Sequence, residues 1–396
     1  MADPISSQIT PSTSAPPLDE SQVPPDARAV LEINLDALRA NWARLNEVAG
    51  RAECAGVVKA DAYGLGLVEI AGALMREGCR TFFVATLHEG RRLRSVDPSA
   101  IIYVLDGLLP GAEAHYAGFD LRPVLSSLGE IRDWAKFCQG ENRKRPAAIH
   151  VDTGMNRLGL PANEIGELAD ASDRPLDQFA IALVMSHLLN ADVPADPYNR
   201  RQLGAFETAR ARLPTAPASL ANSGGTFLGP DYHFDLVRPG IALYGGRAFE
   251  GAPNPMQPVV KLKARILQVR TIPPGDTVGY GATYEAKAPT RVATIACGYA
   301  DGFLRALSGS HEHPGPIGYI ADFPVRIIGR VSMDLITLDV TDVPESLVHR
   351  GAWVEMMGER VTVDDLTDRA GTIGYELLSR LSNRVHRIYT EHPQRT

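Results

Sequence analysis

The chain has 396 residues, of which 44% are hydrophobic, and its 47 acidic and 40 basic side chains leave a formal charge of −7. That is enough chain for two domains with buried cores, and a charge spread without long single-sign blocks gives no support for nucleic acid or an anionic membrane as partner. Cys54, Cys79, Cys138 and Cys297 form no C-x-x-C pair, so they read as buried reduced thiols, not as a zinc site or a disulfide framework.

Residues 1–27 are rich in Pro, Ser and Asp and lack both a basic start and an apolar run. They read as a disordered tail, not a signal peptide. No run of 18 apolar residues follows, so the sequence contains no candidate spanning helix and the expected location is the cytoplasm. Alternation over 29–35 predicts a strand, and Leu38, Trp42 and Leu45 at helical spacing predict a helix directly after it. From residue 54 to about 243 a short apolar run, a turn and an amphipathic segment recur. Strands are predicted at 82–85, 101–105, 147–151, 179–185 and 234–237, with helices between them such as 128–137 and 197–213. This alternation argues for a parallel sheet. The number of units fits an (α/β)8 barrel better than a doubly wound sheet, and no G-x-G-x-x-G fingerprint follows the first strand.

Two proline clusters, at Pro253, Pro255 and Pro258 and at Pro273 and Pro274, mark a change of grammar. Beyond it, runs at 259–271, 290–297, 325–331, 335–340 and 352–357 read as a mainly-β domain, interrupted by one helical stretch at 362–381. The expected division is a tail over 1–27, a barrel over 28–252 and a β-rich domain over 253–396.

One stretch organises the candidate chemistry: Val-Val-Lys-Ala-Asp-Ala-Tyr-Gly-Leu-Gly at 57–66. A lone lysine, Lys59, ends a buried strand before a glycine-containing turn, with Tyr63 four residues on. An ammonium there is costly unless paired or neutralised, so it is either a buried ion pair or a reactive amine placed for Schiff-base chemistry. Arg157, in the loop of Ala-Ile-His-Val-Asp-Thr-Gly-Met-Asn-Arg-Leu-Gly (148–159), suits a carboxylate or phenolic oxygen but could equally be a surface arginine. His187 follows the apolar run 179–185 and could be a satisfied core histidine. Asn222-Ser223-Gly224-Gly225-Thr226 reads as a helix start able to bind phosphate, and Arg238-Pro239-Gly240-Ile241 follows a late strand near the usual phosphate corner of a barrel. Tyr280, in a glycine-flanked loop, reads equally as a plain aromatic of the β domain. His311 and His313 flank a proline-rich loop and read as surface residues, with no metal expected.

In combination these motifs resemble the alanine racemase family over roughly residues 29–389. The resemblance implies a pyridoxal 5′-phosphate enzyme, a cytoplasmic homodimer with active sites shared between subunits, that interconverts L- and D-alanine to supply D-alanine for peptidoglycan. Lys59 would join the cofactor as an aldimine and act as one base, and Tyr280 of a second chain would act as the other. Arg238 would face the pyridine nitrogen. His187 would lie under the ring, linked to an arginine and a tyrosine, and the His187 and Arg238 pair would supply the positive charge that tunes Tyr280. Tyr63, Asn222, Ser223, Gly240, Ile241 and Tyr375 would bind the cofactor. Arg157 and the Met333 backbone would hold the substrate carboxylate, and Tyr299 would narrow the entrance. The sequence departs from the family at His150, where a carbamylated lysine usually steadies the arginine, so another group or an anion must orient Arg157. Ser332 replaces a more usual cysteine, a change expected to be neutral. A barrel-fold decarboxylase would need a cysteine acid near the C-terminal motifs, and none follows Cys297. A broader substrate range stays open, and a non-catalytic cofactor carrier would lack the domain of Tyr280.

Overall fold

The computed structural model describes residue 21 and residues 23–392, which fall into two compact units. The first comprises residues 39–243 with 247–254. The second comprises the described residues up to Leu38, together with 244–246 and those from Pro255 onward.

In the first unit, parallel strands run in chain order: Gly56–Val57, Thr81–Val84, Ile101–Val104, Arg122–Leu125, Pro146–His150, Ala180–Met185 and Ala218–Ser219. Leu236–Val237 pairs in parallel with Glu53–Cys54. The Asp235 N–H bonds the Ala218 carbonyl at 3.0 Å and the Val57 N–H bonds the Pro239 carbonyl at 3.1 Å, so the sheet closes on itself as a barrel. Its strands are apolar because both faces are covered, with Phe82, Phe83, Trp134 and Phe206 fully buried. The expected strands and the helices Leu128–Gly140 and Pro197–Arg210 are present.

In the second unit the long strand Val260–Ile272 pairs with Trp353–Met357, Thr290–Ile295 and Ala29–Asn34. Strands Ile317–Ile320, Phe323–Ile327 and Ile336–Asp339 complete the ring, which closes where Ile336–Asp339 meets Thr290–Ile295. His386–Thr390 extends the sheet beyond Ala29–Asn34.

Three details differ from expectation. The strand at 29–34, expected to open the barrel, belongs to the β unit. Val30 lies opposite Lys263 and His386, partners too distant in sequence for periodicity to reveal. Of the expected tail, residues 1–20 and 22 lie outside the described residues, but Val23 is buried against Val30 and Ile388. The helical stretch at 362–381 is two helices, Val363–Ala370 and Gly374–Ser379, separated at Gly371, whose φ of +68° takes the left-handed conformation that ends a helix. The four cysteines are buried and free. No helix is long and apolar enough to cross a membrane among the described residues.

Candidate active site

Lys59 follows the strand Gly56–Val57 and is half-buried. Its amine makes no hydrogen bond or ion pair among the described residues. Burial and the nearby Arg157 charge pull its pKa below the ordinary lysine value, against the opposing carboxylates of Asp106 and Glu89. With no ion pair at its amine among the described residues, Lys59 does not fit the buried-ion-pair reading, and a lowered pKa is what a reactive amine needs.

The chain leaves Lys59 in an unusual way. Ala60, Asp61, Ala62 and Tyr63 all have φ between +54° and +56°, one turn of left-handed helix without a glycine. Each such residue costs about 1–2 kcal/mol, so the turn needs external support. The Glu89 carboxylate accepts the Ala60 N–H at 2.7 Å, and Asp61 accepts the Leu67 N–H at 3.1 Å while pairing with Arg92 at 2.9 Å. The turn carries Tyr63 inward to 5% exposure, with its hydroxyl in the space that a Cβ on Gly240 would need.

Arg157 lies in a loop built on Asp152, whose Oδ1 accepts the N–H groups of Gly154, Met155 and Asn156 at 2.9, 3.0 and 3.1 Å. The guanidinium is exposed and has no hydrogen-bond or ion-pair partner among the described residues. His150 is buried, with Nδ1 3.3 Å from the Ser126 hydroxyl, and it does not bond Arg157. Burial and the charges of Arg238 and Arg157 push its pKa down to about 4, so at neutral pH it is uncharged.

Arg238 is 4% exposed and pairs with no carboxylate among the described residues. Its guanidinium donates to the Ser219 hydroxyl, to the Ser186 carbonyl at 2.6 Å and to the Leu220 carbonyl at 3.5 Å. None of these bonds goes to His187, whose ring is therefore not joined to the arginine as expected. Burial and the Arg238 charge hold His187 well below the ordinary histidine pKa, so the positive charge expected of the pair rests on Arg238 alone.

Asn222 caps the short helix Ser223–Phe227, accepting the Gly225 N–H at 2.9 Å, and donates to the Leu188 carbonyl at 3.1 Å. The Ser223 hydroxyl accepts the N–H groups of Gly240 at 2.8 Å and Ala242 at 3.3 Å, which leaves its own proton to donate. Ile241 is buried beside them. The structure thus brings Tyr63, Ser223 and Gly240 together, and Lys59 within electrostatic reach of Arg157.

In the β unit, Tyr280, Tyr299 and Met333 line one concavity of about 430 Å³, with Arg305, Arg330 and Asp334. Tyr280 is 72% exposed, between Gly279 and Gly281 at φ +73° and +74°, where a side chain would be strained. The Tyr299 and Ala300 N–H groups bond the carbonyls of Ser332 and Met333 at 3.1 and 3.0 Å, locking the two loops. The Met333 N–H itself has no partner among the described residues. Tyr375, on Gly374–Ser379, is 41% exposed and lies outside this concavity. His311 accepts the Glu285 N–H at 2.8 Å and stacks on Tyr284.

Sequence reasoning passed over Glu89, Gln202, Arg305 and Arg330. The first had a signal: Thr86 and Glu89 have the spacing of a capping box, which they form, and Ser127 and Glu130 repeat that spacing two strands later.

Residues 33–248 match the model of the alanine racemase N-terminal domain, and residues 259–389 match that of the alanine racemase C-terminal domain. The alanine racemase of Methylobacterium sp. (strain 4-46) is 51% identical over 363 residues, covering 92% of this chain and 98% of that protein. The alanine racemase from Bartonella henselae, solved with covalently bound pyridoxal phosphate, matches with a TM-score of 0.87 at 41% identity, over 92% of this chain and 100% of that one. The biosynthetic alanine racemase from Pseudomonas aeruginosa gives 0.84 at 32% identity, with 92% and 100% covered. With both domains matched, this chain belongs to the alanine racemase family.

Proposed function

We propose that this chain is a pyridoxal 5′-phosphate-dependent alanine racemase that interconverts L- and D-alanine with two bases, Lys59 and Tyr280, and supplies D-alanine for peptidoglycan. The observation that carries the reading is an unpartnered, half-buried amine at Lys59, on a barrel that also buries the uncompensated cation Arg238.

The donor set fits the cofactor. Gly240 lacks the Cβ that would displace the Tyr63 hydroxyl, and the Ser223 hydroxyl has a proton left to donate, so an anionic phosphate finds donors without a clash. Asn222 and Ile241 shape the same corner. When bound, pyridoxal phosphate supplies a carbonyl for the substrate amine and an electron sink that acidifies the substrate Cα–H.

The rest is the work of this chain's own side chains. Lys59, its pKa lowered by burial and by the Arg157 charge, takes or returns the Cα proton on one face. Tyr280, offered by its glycine-flanked loop, serves the opposite face in the site of a second chain. That requires a homodimer with a two-fold interface, and the exposure of Tyr280, Met333 and Ile373 supports such a surface. Arg238, whose pKa burial lowers to about 9, remains a cation at neutral pH, and facing the pyridine nitrogen it would take no proton from it and would disfavour side reactions. His187, held well below the ordinary histidine pKa by burial and the Arg238 charge, would lie under the ring when the cofactor is bound. Arg157 receives the carboxylate of a small amino acid, and the unpaired Met333 N–H and Tyr299, which share the concavity of Tyr280, are offered with it by the second chain, while Tyr375 limits the pocket width.

Incubating the purified protein with each L-amino acid and following the D-isomer by chiral chromatography tests this. The expected result is D-alanine in excess of every other product, with no CO₂ released. Decarboxylation, or a larger residue racemised faster, would overturn it.

A further inference from the structure

The helix Pro197–Arg210 turns one polar residue into the protein interior. Gln202 has no exposed surface and lies among the buried Asn199, Leu203 and Phe206 of that helix. A buried amide is costly unless all its groups are bonded, and here they are. Its Nε2 donates to the His187 carbonyl at 3.0 Å and to the Thr153 hydroxyl at 3.1 Å, and its Oε1 accepts the Leu189 N–H at 2.9 Å.

Those partners come from two loops. Thr153 belongs to the loop that carries Arg157, and His187 and Leu189 to the loop after Ala180–Met185. Thr153 also meets the Ser186 hydroxyl at 2.8 Å, and the Ser186 carbonyl accepts from Arg238 at 2.6 Å. One amide therefore begins a buried chain of bonds running from a helix to the Arg238 guanidinium. Ser186 and Thr153 are themselves 1% and 8% exposed, so no solvent competes for these bonds.

We propose that Gln202 is a positioning residue for the racemase reaction, tying the His187 loop to the Arg157 loop and fixing Arg238 through Thr153 and Ser186. The inference rests on the racemase reading, because it is there that His187 and Arg238 face the cofactor ring. Gln202 touches no reacting atom. It acts through the two loops that carry those residues.

The test uses the cofactor-loaded full chain with Gln202→Met, which fills the volume without hydrogen bonds, and Gln202→Glu, which keeps the acceptor and loses both donors. Both are expected to retain pyridoxal phosphate on Lys59 by borohydride trapping and mass mapping, to shift the visible absorption of the bound cofactor, and to lower kcat at least tenfold with KM changed less than threefold. Thr153→Val is expected to give a smaller change in the same direction, and Gln202→Met with Thr153→Val to be no worse than Gln202→Met alone, because both lie on one path. Leu203→Ala, a core truncation on the same helix, serves as the control for lost stability and is expected to leave the absorption and kcat unchanged. Parent-like absorption and kcat in Gln202→Glu would overturn the proposal, as would a Leu203→Ala variant that matches Gln202→Met in every readout. Should the methionine or glutamate variant not fold, additive effects of Thr153→Val with Ser186→Ala would overturn it, and non-additive effects would sustain it. The absorption readout needs no turnover, so an inactive parent protein counts against the racemase reading and leaves this inference to be judged on the spectrum.

Discussion

Glu89 holds the backbone of Ala60. Its Oε1 accepts that N–H at 2.7 Å while its Oε2 accepts the Ala85 N–H at 2.8 Å, so a residue in the first turn of one helix fixes the peptide that follows Lys59. Four successive left-handed residues store strain that these bonds offset. Replacing Glu89 by Ala leaves the Ala60 and Ala85 N–H groups without their acceptor; water can replace it at the exposed Ala60, while the half-buried Ala85 loses about 1 kcal/mol. The expected outcome is a lower urea midpoint and a racemisation rate reduced by roughly tenfold or more, from about 1.4 kcal/mol of misplacement at the amine. Glu89→Gln, which keeps one acceptor oxygen, falls between. Equilibrium denaturation and steady-state kinetics on both variants check this.

Gly240 gives a second test, directed at the phosphate corner. A methyl group at this position meets the Tyr63 hydroxyl, and Tyr63 is too buried to move freely. Gly240→Ala is expected to weaken retention of pyridoxal phosphate at least tenfold, about 1.4 kcal/mol. Fluorescence titration of the cofactor-free protein measures it, and unchanged affinity would remove Tyr63 and Gly240 from the cradle.

His150 gives a pH signature. Its folded pKa, near 4, lies below the ordinary value of about 6.5, so between these limits the unfolded chain binds the extra proton and stability falls as the pH is lowered. The contribution is complete above about pH 6.5 and lost near pH 4, amounting to about 3 kcal/mol. His150→Gln keeps a hydrogen-bonding group for Ser126 and removes the titration. Relative to the parent, this variant is expected to become more stable as pH drops from 7 to 4, read from urea midpoints at several pH values. A difference that stays constant across the range would mean that His150 is not buried uncharged.

Much of the fold was legible because a buried parallel strand is a short apolar run: Thr81–Val84 and Ile101–Val104 announce themselves. The place of Ala29–Asn34 was not, because its partners lie on strands far along the chain and local alternation carries no information about pairing. Lys59, Arg157 and Arg238 were visible as chemistry, yet their grouping came from the family resemblance. The left-handed turn at Ala60–Tyr63 was invisible, since Ala-Asp-Ala-Tyr contains no glycine to mark it. Gln202 was hidden for a related reason: a glutamine on an amphipathic helix reads as surface, and only the packing reveals that it faces inward. The bond expected between His187 and Arg238 is replaced by bonds from Arg238 to Ser219 and to backbone carbonyls, a choice the sequence does not encode locally.

As proposed, two proton carriers, Lys59 and Tyr280, serve opposite faces of one substrate. The most direct measurement follows L-alanine in heavy water with the cofactor-loaded parent and with Tyr280→Phe, scoring D-alanine and deuterium at Cα together. The expected result is deuterated D-alanine from the parent, and from the variant an intact visible absorption with racemisation reduced at least a hundredfold, about 2.7 kcal/mol. Racemisation by Tyr280→Phe at the parent rate would contradict it.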